Sequence, residues 1–225
     1  MSNTREFIVY LEPTSTSGFR KLIDEFLAQQ PLRYYPTTAT KYNCHVSMTG
    51  FFHIPNEPGI VADIVMLLEN ILQVENGHST LLNVPPPQIS TEPLHTASRL
   101  FSHLLLPVLA PEAYRQVARG FADGCQKRDS RIVVRPKATN HISLAYWDEP
   151  HATQEQQQQW YLLTMMERLL ERMQDDARKQ FVDVPNPADW DIVLYERVLV
   201  GEKVGEKHVF AEQGRWSVSR GTPDQ

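Results

Sequence analysis

Two matching tetrapeptides, one in each half of the chain, constrain this sequence more than any other feature. They read HVSM at 45–48 and HISL at 141–144, so each orders a histidine, an apolar residue, a hydroxyl residue and an apolar residue. Each lies in a stretch typical of a β-strand, where residues two apart share one face. Each motif therefore directs an imidazole and a hydroxyl to one side and two apolar side chains to the other. Roughly one sequence in a hundred of this composition would carry two such matches by chance.

Hydrophobic periodicity predicts an α+β fold whose two halves have comparable content. We predict strands over 7–11, 42–52, 81–84, 190–200 and 208–210, and extended segments over 132–134 and 141–147. The segment 99–108 is predicted as a strand, and the alternative that its apolar run is helical stays open. A 3.6-residue apolar stripe predicts helices over 19–27, 58–74, 111–125 and 153–181. Because no linker rich in Pro or Ser separates the halves, we expect a single domain over 1–225. It would consist of two lobes sharing one core, with a flexible tail after about residue 219.

Composition and charge argue against several classes of protein. The chain has 225 residues, enough for one large domain, and its net charge of −5 disfavours binding a nucleic-acid backbone by bulk charge. Two cysteines, Cys44 and Cys125, provide neither a disulfide framework nor a cysteine-based zinc cluster. We expect no signal peptide and no membrane-spanning stretch. These observations predict a monomer of the cytoplasm or nucleus that does not bind a membrane.

Three segments together resemble the 2H phosphoesterase superfamily, which includes RNA 2′,5′ ligases and cyclic phosphodiesterases. They are Asn43–Met48, Asn140–Leu144, and Asp191–Glu196 followed by Gly201. The second segment departs from the usual pattern, because the superfamily often has Pro where Asn140 stands. The resemblance implies a bilobal, pseudo-symmetric fold in which two antiparallel sheets face a central cleft, with helices outside. It also implies a phosphodiesterase that needs neither metal nor cofactor.

The two histidines have the chemistry that this resemblance implies. Opening a cyclic phosphodiester requires one group to deprotonate water and another to protonate the leaving oxygen, and two imidazoles can do both. We expect His45 to be the general base and His141 the general acid, although members of the superfamily differ in this assignment. The hydroxyls of Ser47 and Ser143 would donate to the phosphoryl oxygens as charge develops there.

Strand alternation extends the predicted site beyond the four motif residues. The residues that we expect to bind substrate are Lys41, Asn43, Phe51, Lys137, Thr139, Trp147 and, from the resemblance, Tyr195. The lysines would attract phosphate, and the Phe or Trp ring would stack on a base. The alternative is that the lysines are solvated charges, the two rings belong to the core and the tyrosine is a buried strand residue.

The expected substrate is a small nucleotide or an RNA 3′ end that carries a 2′,3′-cyclic phosphate or a related phosphodiester. Two alternatives stay open. The chain could be an oligonucleotide 3′-end exonuclease or a 2′,5′-phosphodiesterase, although the net charge of −5 disfavours a long RNA track. It could also be a non-catalytic module that binds a nucleotide or RNA on the same fold.

Overall fold

The computed structural model describes residues 3–34, 37–72, 81, 84–97, 101–148, 160–203 and 206–219. These residues form nine strands, four α-helices and one 3₁₀ turn. The strands are β1 (Thr4–Pro13), β2 (Val46–Ser47), β3 (Phe52–Pro55), β4 (Gln88–Ile89), β5 (Leu94–Ala97), β6 (Phe101–Leu109), β7 (His141–Asp148), β8 (Trp190–Leu199) and β9 (Val209–Ser219). The helices are α1 (Gly18–Arg33), α2 (Ile60–Leu72), α3 (Glu112–Arg128) and α4 (Trp160–Phe181), and the 3₁₀ turn is Thr38–Lys41.

The strands pair antiparallel in the order β4-β6-β7-β2-β1-β8-β9, with β3 also on β1 and β5 also on β6. The predicted α+β class is therefore confirmed. The expectation of two separate sheets is not, because the short strand β2 pairs with β1 on one side and with β7 on the other. This strand joins the two halves of the chain into one sheet. The bilobal pseudo-symmetry stays a prediction.

Strand β1 lies inside the sheet, as its uninterrupted apolar run predicts. Residues Phe7–Leu11 are buried on both faces, each 4% exposed or less, and β1 pairs with β2, β3 and β8. A strand covered on both faces has no polar side to present, which explains the lack of alternation in its sequence.

Helices α1 and α3 follow their predicted stripes. The Ser17 hydroxyl caps α1 by accepting from the Arg20 amide at 3.4 Å. The helix buries Phe19, Ile23, Phe26 and Leu27. Helix α2 begins at Ile60, two residues later than predicted, and 153–159, where α4 was predicted to begin, lies outside the described residues. None of the described helices is long and apolar enough to cross a membrane.

The predicted strand over 42–52 is wrong. The chain there forms the 3₁₀ turn, an irregular segment and the two short strands β2 and β3. The cause is local hydrogen bonding that replaces ladder bonds: the Cys44 amide donates to the Asp24 carboxylate at 2.6 Å, and the His45 ring binds the Asn43 carbonyl.

Further differences concern strands at the margin of the sheet. Of the predicted strand over 81–84, Leu81 and Val84 are described and close a turn through a 2.8 Å backbone bond. The segment 132–134 forms no strand. Strand β9 extends well beyond the predicted 208–210, and β4 and β5 were not predicted at all. These are short or edge elements, whose pairing depends on tertiary contacts more than on pattern.

Candidate active site

The first histidine motif lies at the centre of the sheet, anchored by its apolar residues. Val46 and Met48 are both fully buried, and the Met48 amide donates to the Val9 carbonyl on β1 at 3.0 Å. With these two side chains fixed in the core, strand alternation turns His45 and Ser47 to the opposite face. The ring of His45 packs against that of Tyr10, with 4.0 Å between centroids.

The two motifs are antiparallel neighbours through one paired position, Val46 with Ile142. Both of these side chains are buried, so the polar residues that flank them share the other face. In antiparallel register the imidazole of each motif lies opposite the hydroxyl of the other. The facing pairs are His45 with Ser143 and Ser47 with His141. This register places the four predicted catalytic side chains on one face of the sheet; of the four, His45 and Ser47 line the cavity described below.

His45 is held as a neutral base. Its Nδ1 lies 2.7 Å from the Asn43 backbone carbonyl, and a carbonyl only accepts, so Nδ1 carries the proton and the lone pair is on Nε2. The ring is 9% exposed. Burial, with a smaller contribution from the charge of His141, lowers its pKa from 6.5 to about 4. At neutral pH the ring is uncharged and Nε2 can accept a proton.

His141 is oriented in a similar way but lies closer to solvent. Its Nδ1 contacts the Asn140 side-chain oxygen at 2.8 Å, which leaves Nε2 for a ligand. Burial, together with the charges of His103 and Lys137, lowers the pKa of His141 below its ordinary value. The Asn140 amide thus orients the second imidazole.

A cavity of about 180 Å³ opens beside His45. It is lined by Ile8, Tyr10, Tyr42, His45, Ser47, Thr49, Gly50, Phe51, Arg135, Lys137 and Tyr146. No carboxylate is among these lining residues, although the chain as a whole carries a net charge of −5. Ser143 reaches the cavity wall through a contact between its hydroxyl and that of Tyr146. The cavity is therefore a cationic and hydroxyl-rich site, suited to an anion.

Of the predicted substrate-binding residues, Lys137 and Phe51 line the cavity. One face of the Phe51 ring is covered by the Arg197 guanidinium at 4.0 Å. The parallel Phe210 ring lies 6.4 Å from it. These contacts leave Phe51 packed between neighbours, so the expected stacking on a base would have to compete with them.

Three other predicted residues lie outside the lining of the cavity. Lys41 ends the 3₁₀ turn, and its ammonium donates to the Gly201 carbonyl at 2.7 Å. Thr139 is 2% exposed and has a positive φ of 51°. The Tyr195 hydroxyl accepts from Arg215 at 3.0 Å and donates to Glu12 at 3.4 Å.

The two remaining residues that were predicted to bind substrate are Asn43 and Trp147. Asn43 acts through its backbone carbonyl on His45, and its side-chain oxygen accepts from Lys207 at 2.7 Å. The side chain of Trp147 is outside the described part of the structure.

Seven residues that line the cavity were not predicted: Ile8, Tyr10, Tyr42, Thr49, Gly50, Arg135 and Tyr146. Arg135 has the same strand parity as Lys137 and could have been found from it. Tyr10 is concealed within an apolar run. Its hydroxyl is buried and has no hydrogen-bond partner among the described residues, so it is a donor that a ligand can use. Burial raises the pKa of Tyr10 well above its usual value, so this hydroxyl stays protonated.

Among the described residues, no group of three or more His, Cys, Asp or Glu side chains is placed to hold a metal ion.

No protein-family model and no curated protein matches this sequence. Solved structures similar to this chain include that of Escherichia coli LigT in apo form, with 11% identity, a TM-score of 0.44, and coverage of 97% of this chain and 100% of that one. They also include LigT complexed with 3′-AMP, with 9% identity, a TM-score of 0.45, and coverage of 96% and 99%. A third is Kluyveromyces marxianus Usb1, with 12% identity, a TM-score of 0.45, and coverage of 93% and 98%.

Proposed function

We propose that this chain is a phosphodiesterase of the 2H phosphoesterase type that opens a 2′,3′-cyclic phosphate, or a related nucleotide or RNA-end phosphodiester, by two-histidine acid–base catalysis. The observation that carries the proposal is the paired array of the two motifs. Val46 faces Ile142, so each imidazole is brought opposite the other motif's hydroxyl. Each ring is also anchored through Nδ1, which leaves both Nε2 atoms for the reaction.

The roles follow from the environments of the two rings. Neutral His45 accepts a proton from water through Nε2, and the resulting hydroxide forms a new bond to phosphorus. The bond from phosphorus to one ribose oxygen breaks, and protonated His141 donates its Nε2 proton to that oxygen. Each histidine ends in the protonation state in which the other began, and exchange with solvent restores both.

The charge that develops on the phosphoryl oxygens is met by donors already in place. The hydroxyls of Ser47 and Ser143 can donate to the non-bridging oxygens, and Lys137 supplies positive potential from the cavity wall. Because these groups are positioned by the sheet, little reorganisation is needed during the reaction. This chemistry calls on no metal or organic cofactor.

A small substrate is favoured. The cavity volume of about 180 Å³ suits a phosphate with part of its sugar better than a long polymer. A nucleotide or the end of an RNA is the substrate that we propose, and we propose that the protein acts as a monomer in the cytoplasm or nucleus. The experiment below also separates this function from action on oligonucleotides and from binding without turnover.

The direct test is hydrolysis of the four nucleoside 2′,3′-cyclic monophosphates in the presence of EDTA. We expect turnover by the wild type, and a loss of about a hundredfold or more in His45→Ala and in His141→Ala. His53→Ala is the matched control, because the His53 side chain is 61% exposed beside Glu6 and does not line the cavity.

Two results would contradict the proposal. If both histidine variants keep wild-type turnover, the histidines are not the acid and base. If no cyclic phosphate is turned over, 2′,5′-linked and 3′-tailed oligonucleotides are assayed next, and binding without cleavage there would identify a non-catalytic module.

A further inference from the structure

Arg135 and Lys137 lie side by side on the wall of the cavity because the chain there pairs with the end of the first motif. The Gly50 amide donates to the Arg135 carbonyl at 2.8 Å, and the Lys137 amide donates to the Met48 carbonyl at 2.8 Å. Between them Pro136 bridges to Thr49. Residues two apart share a face in an extended segment, so both cationic side chains point the same way.

The position of Gly50 shows how close the two cations are. A Cβ atom at Gly50 would lie 3.5 Å from the Arg135 Nε atom and 3.6 Å from the Lys137 Cε atom. Both side chains therefore lie over the same backbone position. Burial is the main cause that lowers the pKa of Lys137, and the charge of Arg135 lowers it further. Such closeness of like charges is unfavourable in the absence of an anion.

Neither cation forms an ion pair with a carboxylate among the described residues, unlike the nearby Arg131. Arg131, four residues earlier, binds Asp129 and Glu57 at 2.7 and 2.8 Å. The cavity lining contributes no acidic side chain that could neutralise the pair. Two adjacent, uncompensated cations in a chain of net charge −5 form an anion-binding surface.

The reacting group supplies too little negative charge for this surface. A cyclic phosphodiester carries a single negative charge, and the proposed mechanism already places serine hydroxyls and Lys137 around it. The guanidinium of Arg135 is a planar donor that matches a phosphate through two N–H groups. It lies over Gly50 on the wall of the same cavity.

We propose that the substrate carries a second phosphate, on the 5′ side of the reacting nucleotide, and that Arg135 binds it. This inference rests on the proposed function. The second phosphate has two possible sources with the same chemistry: a 5′-terminal monophosphate, or the internucleotide phosphodiester of an RNA end.

The experiment compares three substrates under identical salt: adenosine 2′,3′-cyclic phosphate, its 5′-phosphorylated form, and a diadenylate ending in a 2′,3′-cyclic phosphate. Wild type is assayed beside Arg135→Gln and Arg131→Gln. The Arg131 variant removes the same charge from the same segment, but its guanidinium does not line the cavity. Thermal unfolding of all three proteins confirms that each is folded.

We expect the second phosphate to raise kcat/KM of the wild type about tenfold, mainly through KM. Arg135→Gln should remove most of that advantage, whereas Arg131→Gln should keep it. A gain for the 5′-phosphorylated mononucleotide identifies a terminal phosphate, and a gain for the diadenylate alone identifies an internucleotide phosphate.

Turnover that is equal with and without the second phosphate overturns this inference and leaves the proposed function standing. So does an advantage that Arg135→Gln retains in full. Absence of turnover on all three substrates is a different result, because it removes the proposed function as well.

Discussion

His45 and His141 differ in their access to solvent, and the proposed roles of base and acid rest on this difference. His45 is 9% exposed and held by a backbone carbonyl, so its neutral form is favoured. His141 is half-buried and held by a side-chain amide. A ring nearer solvent is easier to reprotonate between turnovers, which suits a general acid.

The low pKa of His45 predicts a loss of stability in mild acid. In the unfolded chain this ring titrates near 6.5, and in the folded chain at about 4, so the unfolded state binds the proton more strongly. The free energy of unfolding should therefore fall as pH decreases from 6.5 to 4, by at most about 3 kcal/mol from this residue. Urea unfolding at several pH values measures the fall.

The matched variant for this prediction is His45→Gln, which cannot titrate. Its free energy of unfolding should vary less than that of the wild type over the same interval. An identical pH dependence in both proteins would show that His45 is not held neutral by burial. The pKa of His208 is also lowered to about 4. His208 therefore changes the pH dependence of the wild type and of the variant equally, and its contribution cancels in the comparison.

Tyr10→Phe should separate activity from stability. The Tyr10 hydroxyl is buried without a partner among the described residues, and an unsatisfied buried hydroxyl costs about 1–3 kcal/mol. Removing it should leave the free energy of unfolding unchanged or raise it. If the hydroxyl donates to substrate, kcat/KM should fall about tenfold.

Tyr195→Phe is the contrasting variant, because the Tyr195 hydroxyl bonds Arg215 and Glu12 and its removal should lower stability. The proposed role of the Tyr10 hydroxyl is contradicted if Tyr10→Phe loses as much stability as Tyr195→Phe. It is also contradicted if Tyr10→Phe turns substrate over at the wild-type rate.

At the scale of elements, a β-bulge in β7 determines which side chains lie on the same face as the hydroxyl of the second motif. Between β6 and β7, Leu104 pairs with Ala145 and Leu105 with Ser143, so Leu144 is an extra residue on β7. A bulge of this kind shifts the alternation of side chains by one position. Tyr146 consequently reaches the face of Ser143 and contacts its hydroxyl.

The bulge is supported by helix α1. The fully buried Gln30 side chain donates to the Leu144 carbonyl. Gln30→Leu should leave that carbonyl unsatisfied and lower the free energy of unfolding by about 1–3 kcal/mol. Because Ser143 adjoins the bulge, kcat/KM should also fall.

Gln29→Leu, on the same helix but half-buried, provides the control for urea unfolding and turnover. Equal behaviour of the two variants would mean that the Gln30 bond does not hold the bulge in place.

At the scale of the molecule, the two halves of the chain share one sheet and one hydrophobic core. That core includes Phe7 and Leu11 from the first half and Ile142 and Trp190 from the second. We therefore expect a single cooperative unfolding transition, with fluorescence and circular dichroism curves that coincide. Two separated transitions would indicate that the halves unfold independently and would contradict this prediction.

Much of this architecture could be predicted because burial leaves a clear pattern in the sequence. The apolar run of β1, the stripe of α1 and the two matched motifs all follow from a periodic core. The position of Lys41 could not be predicted, because the 3₁₀ turn interrupts the alternation that was extended backwards from His45. Tyr146 was missed because the bulge in β7 changes which side chains share a face, and no sequence pattern marks the bulge. The single continuous sheet was missed because it depends on β2, a strand of only two residues.

The central claim is that His45 and His141 act as base and acid on one phosphate. The most direct measurement is the pH dependence of kcat/KM for a nucleoside 2′,3′-cyclic phosphate, in EDTA. Protonation of His45 near pH 4 should cause the acidic limb. Deprotonation of His141, whose pKa is lowered below its ordinary value of 6.5, should cause the alkaline limb.

We predict a bell-shaped profile with its maximum at mildly acidic pH, between about 4 and 6.5. A profile with one limb only, or one whose maximum disappears on chelation, would contradict catalysis by these two histidines.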